Sequence, residues 1–142
     1  MKSNPWQIHS DDTPYISPDG EKEFFYYGIS EIRMGSPLSG PAGIKINGKT
    51  FELSGSYSCP PIWSDNSRYA AVPYWNPELS QKLVIIDVEL MEISLSVKNY
   101  RVLDLKKFTG TTLKGVDSPI HNADRFTIDI LDMPVEQKIK IG

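Results

Sequence analysis

The chain has 142 residues, enough for one domain with a real hydrophobic core. With 39% hydrophobic and 23% charged residues it has an ordinary globular composition, and a net charge of −3 argues against nucleic-acid binding, which needs a basic face. Cys59 is the single cysteine, which excludes an internal disulfide and a cysteine-based zinc site, and fits a reducing compartment.

Residues 1–15 are polar and proline-punctuated, so an extended arm is expected there, followed by one β domain over residues 16–142. The opening MKSNPWQIHSDDTP lacks the apolar core of a signal peptide, and no apolar run approaches membrane-spanning length; a cytoplasmic protein is expected. Ser17-Pro18-Asp19-Gly20 is a strong turn signal. Glu23 to Arg33, EFFYYGISEIR, then reads as a long strand with aromatics on both faces, one face for the core and the other for contact. Pro37 to Pro41 reads as a loop. Ile44 to Leu53 reads as a hairpin, because Asn47-Gly48 tolerates the positive φ of a type I′ turn.

PIWSDNSRYAAVPYW, residues 61–75, is a polar turn running into a strand, and Asn76-Pro77-Glu78 is a further turn. KLVIIDVEL (82–90) is apolar almost throughout, which predicts a buried strand. EISLSVK (92–98) and YRVLDLKKF (100–108) alternate, with a turn placed at Lys98-Asn99. SPIHNADRFTIDIL (118–131) supplies another strand. VEQKIKIG closes the chain with Lys138 and Lys140 on one face, as suits a protected edge strand. No stretch has a sustained helical period with a cap, so the domain is expected to be all-β: antiparallel strands with little helix.

The turn-then-strand unit recurs. YISPDGEKEFFYY, PIWSDNSRYAAVPY and SPIHNADRFTIDI each run from an Ile through a polar turn to a charged residue and then strand residues. Their starts near Ser17, Ser64 and His121 are about a propeller-blade repeat apart, roughly 40 to 50 residues. At these residues the sequence resembles WD-repeat and TolB-like propeller blades, whose inner strands follow Trp-Ser-Pro-Asp-Gly-(Arg/Lys)-Tyr-(Leu/Ile)-Ala. Trp63, Ser64, Arg68, Tyr69 and Ala70 match, while Asp65, Asn66 and Ser67 replace Pro-Asp-Gly; Ser17 to Gly20 match in the first copy, and the third keeps Arg125 and Phe126. The resemblance implies about three blade-like β-meanders. A closed propeller takes roughly four or more blades, so an open or half-propeller-like sheet is expected, with edges to hide against a partner or a second copy.

Motifs for chemistry are weak. His9, in HSDDTP, and His121, in PIHNAD, are the two histidines, and neither has metal-ligand spacing. GTTLKG lacks the Gly-Lys-Ser/Thr ending of a phosphate loop, SDNS and SPDG lack a calcium-loop ladder, and no nucleophile elbow is present. No enzyme activity and no cofactor are expected.

The binding candidates are aromatic: Tyr26, Tyr27, Tyr57, Tyr74 and Trp75, the last two at a strand end where interface anchors are often found. Packing of Tyr74 and Trp75 over the sheet end is the competing reading. Asp65, Glu78, Glu21 and Glu23 would form an acidic rim that steers a basic partner. In type and size the chain is similar to the immunity proteins of bacterial contact-dependent growth inhibition. That likeness implies one basic cognate partner, a toxin domain such as a nuclease, whose active site is covered; no nucleic acid or membrane is involved. The alternative is a ligand-binding or self-assembling module, a homodimer joined through the edge strand Val135 to Ile141.

Overall fold

The computed structural model describes residues 14–28, 30–31, 38–76, 80–117 and 123–141, and every regular element in them is a β-strand. Three antiparallel meanders follow one another. The first holds β1 (Tyr15–Ile16), β2 (Lys22–Tyr26), β3 (Ser30–Glu31), β4 (Leu38–Ile46) and β5 (Lys49–Ser58), with β3 a short addition to β4. The second holds β6 (Ile62–Trp63), β7 (Tyr69–Trp75), β8 (Gln81–Asp87) and β9 (Glu92–Tyr100). The third holds β10 (Leu103–Thr109), β11 (Thr112–Asp117) and β12 (Asp124–Asp129), and β13 (Val135–Lys140) returns to pair with β9.

The pairs Ser56–Trp75 and Tyr57–Tyr74 join the first two meanders into one ten-stranded open sheet, while the third stands as a separate three-stranded sheet. The all-β, single-domain expectation holds, with three meanders in open sheets. Among the described residues no helix is long and apolar enough to cross a membrane.

The stacking of these meanders follows from β7 and β8. In YAAVPYW every residue but Tyr74 is buried, and in QKLVIID every residue but Asp87. Side chains alternate across a strand, so these strands supply two cores. Ala70, Val72, Val84 and Ile86 face the first meander, among Phe24, Tyr26, Ile44, Leu53 and Tyr57. Tyr69, Ala71, Leu83 and Ile85 face the third, among Leu103, Leu105, Phe108 and Leu113. The second meander is therefore the middle layer.

Several local expectations shift. The predicted strand 23–33 is interrupted after β2: Tyr27 N–H donates to Pro41 O, but Pro41 has no N–H to return, and the ladder lapses until β3. The predicted loop 37–41 is largely strand, because Pro41 sits at a bulge between Gly40 and Ala42 where no ladder donor is needed. The turn placed at Lys98-Asn99 falls at Arg101-Val102. Asn99 and Tyr100 still pair with Lys82 and Gln81, and Asp117 Oδ1 accepts both Arg101 N–H (2.8 Å) and Val102 N–H (3.2 Å). The strand predicted over 82–90 ends at Asp87, whose Oδ1 accepts the N–H groups of Glu89 and Leu90 in a turn. Asn47 and Gly48 have φ of 51° and 79°, the two positive values of the predicted type I′ turn.

Since β8 serves both cores, they should melt together. Leu83→Ala, in the second core, and Ile86→Ala, in the first, should each lower stability by about 2–5 kcal/mol. Urea unfolding followed by near- and far-ultraviolet circular dichroism checks this: a single coincident transition is expected, and two separate transitions would refute the shared core.

Candidate functional site

The turn of the first meander and that of the second are the same structure. Ser17 N–H donates to Lys22 O (2.9 Å), and Ser17 Oγ accepts Lys22 N–H (3.1 Å); Ser64 does the same with Tyr69 O (2.8 Å) and Tyr69 N–H (3.0 Å). The Ser17 hydroxyl donates to Asp19 Oδ1, which also accepts Glu21 N–H; the Ser64 hydroxyl donates to Asn66 Oδ1, which also accepts Arg68 N–H. Gly20 and Ser67 both have positive φ, 76° and 62°, and both return an N–H to the first Ser carbonyl. The repeated sequence unit is thus a repeated hydrogen-bond pattern in its first two copies. The third copy's turn lies mostly outside the described residues.

These turns also dock onto one another. Asp19 N–H donates to Ser67 Oγ (2.9 Å), Lys22 Nζ to Ser67 O (3.2 Å), and Trp63 Nε1 to Tyr15 O (2.8 Å). On the far side, Asp65 N–H donates to Phe108 O (3.0 Å), and Asp65 Oδ1 accepts Gly110 N–H (2.7 Å) from the β10–β11 turn. Asp65, expected in an acidic rim, is exposed but holds the second and third meanders together.

The aromatic candidates divide by strand parity. Tyr26 (3% exposed), Tyr57 (2%) and Trp75 (5%) are buried, so the expectation that they are surface contacts does not hold. Tyr26 donates its hydroxyl to Ser58 O (2.6 Å) inside the first core, and Trp75 stands at the pair with Ser56 where β7 meets β5. Burial pushes the phenol pKa of Tyr26 and of Tyr57 far above the ordinary 10.0. Tyr74 is half-buried, its ring over Gly55 and against Tyr57 (5.4 Å between centroids). It lines an open cleft of about 450 Å³ with Asn76, Lys82, Leu95, Asn99 and Glu136. The Lys82 ammonium in that cleft meets Ser96 O (3.2 Å), Val97 O (2.9 Å) and Glu136 Oε2 (3.5 Å), so its three donors are engaged in tying β13 to β8 and β9. Glu78 lies outside the described residues, as do Trp6, His9 and His121.

On the outward face of the first meander the picture differs. Phe25 and Tyr27 stack edge to face, 5.2 Å between centroids at 75°. Both lie over Gly43, where a Cβ would come within 2.7 Å of Phe25 Cζ and 2.9 Å of the Tyr27 hydroxyl oxygen. Tyr27 stays 48% exposed. Register puts Glu23 one alternation before Phe25 on the same face, opposite Lys45, and Glu52 opposite Gly43; Glu21 is exposed on the turn that feeds β2. Of the candidates, Tyr27, Glu21 and Glu23 are brought together. Phe25 shares the face expected for contact but was not singled out, and Gly43 and Glu52 were missed; an aromatic at i and i+2 facing a strand that carries glycine would have signalled them. Among the described residues no group of three or more His, Cys, Asp and Glu side chains is placed to hold a metal ion.

Asp19 reports on the first turn. The hydrogen bond from Lys22, with those from the Ser17 hydroxyl and Glu21 N–H, lowers its pKa from the ordinary 3.8 to about 2. A depressed carboxylate favours the fold while ionised, so its contribution is present at neutral pH and is lost as pH falls from about 4 toward 2. An NMR titration of the Asp19 carboxyl should give a midpoint near 2, moving up in Lys22→Met; an unshifted midpoint in the native protein would contradict the turn geometry.

Comparison of the chain with protein-family models, with curated proteins and with solved structures finds no match.

Proposed function

We propose that this chain is a non-enzymatic protein-binding protein, an immunity-type inhibitor that covers a basic cognate toxin domain. The observation that carries the reading is the aromatic pair Phe25–Tyr27, held over Gly43 on a sheet face where Glu21, Glu23 and Glu52 outnumber Lys45, which stands opposite Glu23. Rings fixed by a neighbouring glycine are pre-organised, so they present apolar area to a partner with little entropy left to lose. Tyr27 also offers a phenol that can hydrogen-bond at the contact. Surrounding carboxylates steer a basic surface toward the face and disfavour acidic ones. Inhibition in this arrangement is steric: the sheet face occludes the partner's site without reacting.

The partner contact therefore moves from Tyr74 and Trp75 to the outer face of β2, β4 and β5. Trp75 is an internal side chain, and Tyr74 is half-occupied by Gly55 and Tyr57.

The experiment is capture of the cognate partner from native cell extract, identification by mass spectrometry, and titration of its toxic activity with the purified chain. Tyr27→Ala should weaken binding and inhibition by more than about 2 kcal/mol, as expected of an interface anchor. Glu23→Lys should slow association most strongly at low ionic strength. Full inhibition by Tyr27→Ala together with Glu23→Lys, with an unchanged β spectrum, would reject this face.

A further inference from the structure

An open sheet must do something with its edges, and the edges of this fold are not alike. β1 is two residues long, too short to template a strand. β10 is closed on its outer side, where Phe108 O accepts Asp65 N–H and Leu103 N–H donates to Gln81 Oε1 (2.6 Å). β13 is long but guarded. Ile141 N–H donates to Met91 O, which fixes the alternation and turns the backbone of Lys138 and Lys140 outward. A second β13 centred on either residue would set lysine directly against lysine, and a bulge between Val135 and Gln137 bends the strand away.

β12 has neither guard. Ile130 N–H donates to Thr111 O, so Phe126 and Ile128 share its alternation and turn their backbone toward β11, while Arg125 and Thr127 turn theirs outward. The sequence of the strand, Asp124-Arg125-Phe126-Thr127-Ile128-Asp129, is complementary to itself when reversed about Thr127. In that register Thr127 faces the partner's Thr127, Arg125 faces the partner's Asp129 in two symmetric pairs, and Phe126 faces the partner's Ile128. All three odd-numbered side chains are exposed, and among the described residues Arg125 makes no ion pair in its own chain. Asp129 uses Oδ1 to accept Leu131 N–H (3.0 Å), leaving Oδ2 for a cation. On the other face, Phe126 and Ile128 line an apolar cleft of about 360 Å³ with Tyr100, Met133 and Pro134.

We infer that β12 is a self-association edge: a second copy of this chain adds antiparallel to it about a two-fold axis through Thr127, fusing two three-stranded sheets into one of six strands. The charges select the occupant, because each Arg125 meets an Asp129 and no like charges are opposed. The Phe126–Ile128 pairs extend the second core's apolar layer across the junction. This edge is distinct from β13 and from the Phe25–Tyr27 face, so the inference does not rest on the proposed toxin partner.

Sedimentation equilibrium on the full chain, up to concentrations used for NMR, tests it together with two variants at the axis. The native chain should show a reversible monomer–dimer equilibrium. Thr127→Lys places two ammonium groups directly opposite each other and should weaken association about tenfold or more, with an unchanged β spectrum. Thr127→Cys should yield a disulfide-linked dimer under mild oxidation, since directly opposed Cα atoms of a hydrogen-bonded pair are about 5.5 Å apart. Arg125→Cys should not, because it would stand about 13 Å from its own copy along the strand. A chain monomeric throughout, a dimer untouched by Thr127→Lys, or cross-linking equal in the two cysteine variants would overturn the inference.

Discussion

The fold depends on keeping two adjacent strands dry on both faces. β7 and β8 carry so little polar side-chain surface that neither face tolerates water, and apolar area left exposed costs roughly 25 cal/mol per Å². One covering layer is not enough for such strands. The first meander therefore packs on one side and the third on the other, and the chain needs all three. Polar groups caught in this middle layer are answered in part: among the described residues Gln81 Nε2 and Trp75 Nε1 are buried without a hydrogen-bond partner, while others are paired. Gln81 is fully buried, and its Oε1 accepts Leu103 N–H, stitching the second meander to the third. Lys82 is buried along its stem while its ammonium reaches carbonyls and a carboxylate at the rim.

Layers stacked this way need alignment, and the repeated turns supply it. In the second turn Asp-Asn-Ser stands where the first has Pro-Asp-Gly, yet the hydrogen bonds are conserved because Asn66 Oδ1 takes the place of Asp19 Oδ1. Ser67 accepts a left-handed φ of 62° that glycine would adopt more easily. The gain is specific: only a residue with a side-chain oxygen at that point can receive Asp19 N–H from the neighbouring turn. Asp65, the next departure from the blade-like pattern, reaches the third meander through Gly110 in the same manner. Two of the three positions where the second turn leaves that pattern, Asp65 and Ser67, bind it to its neighbours.

Much of this architecture was legible, and the parts that were not have identifiable causes. Asn47-Gly48 specified its hairpin through backbone sterics alone, and the unbroken run in β8 announced burial. The repeat could be read because serine, Asp/Asn and a positive-φ residue are each demanded by the hydrogen bonds of the turn. Trp75 was not legible as buried because the strand beside it, β5 through Ser56, lies nineteen positions back in the chain, a pairing no local pattern encodes. In β2 the alternation was visible, but Tyr26 and Tyr27 could not be sorted to core and surface until Gly43 was seen beneath Phe25 and Tyr27. The turn after β9 was displaced for a similar reason: a bulge between Lys82 and Val84 let the ladder run on to Tyr100.

What remains unburied in such a stack is an outer face at each end and the strand edges. The two are chemically sorted. The first meander's outer face carries rings beside carboxylates, which suits a basic partner of another kind; the β12 edge carries Arg125 and Asp129 in mirror order about Thr127, which suits itself. Because the first and third meanders cover opposite faces of β7 and β8, pairing through β12 would leave Phe25 and Tyr27 uncovered in both copies. A dimer built at that edge would present two identical contact faces. Binding two sites on one partner assembly then becomes an intramolecular second step, raising avidity without any new contact.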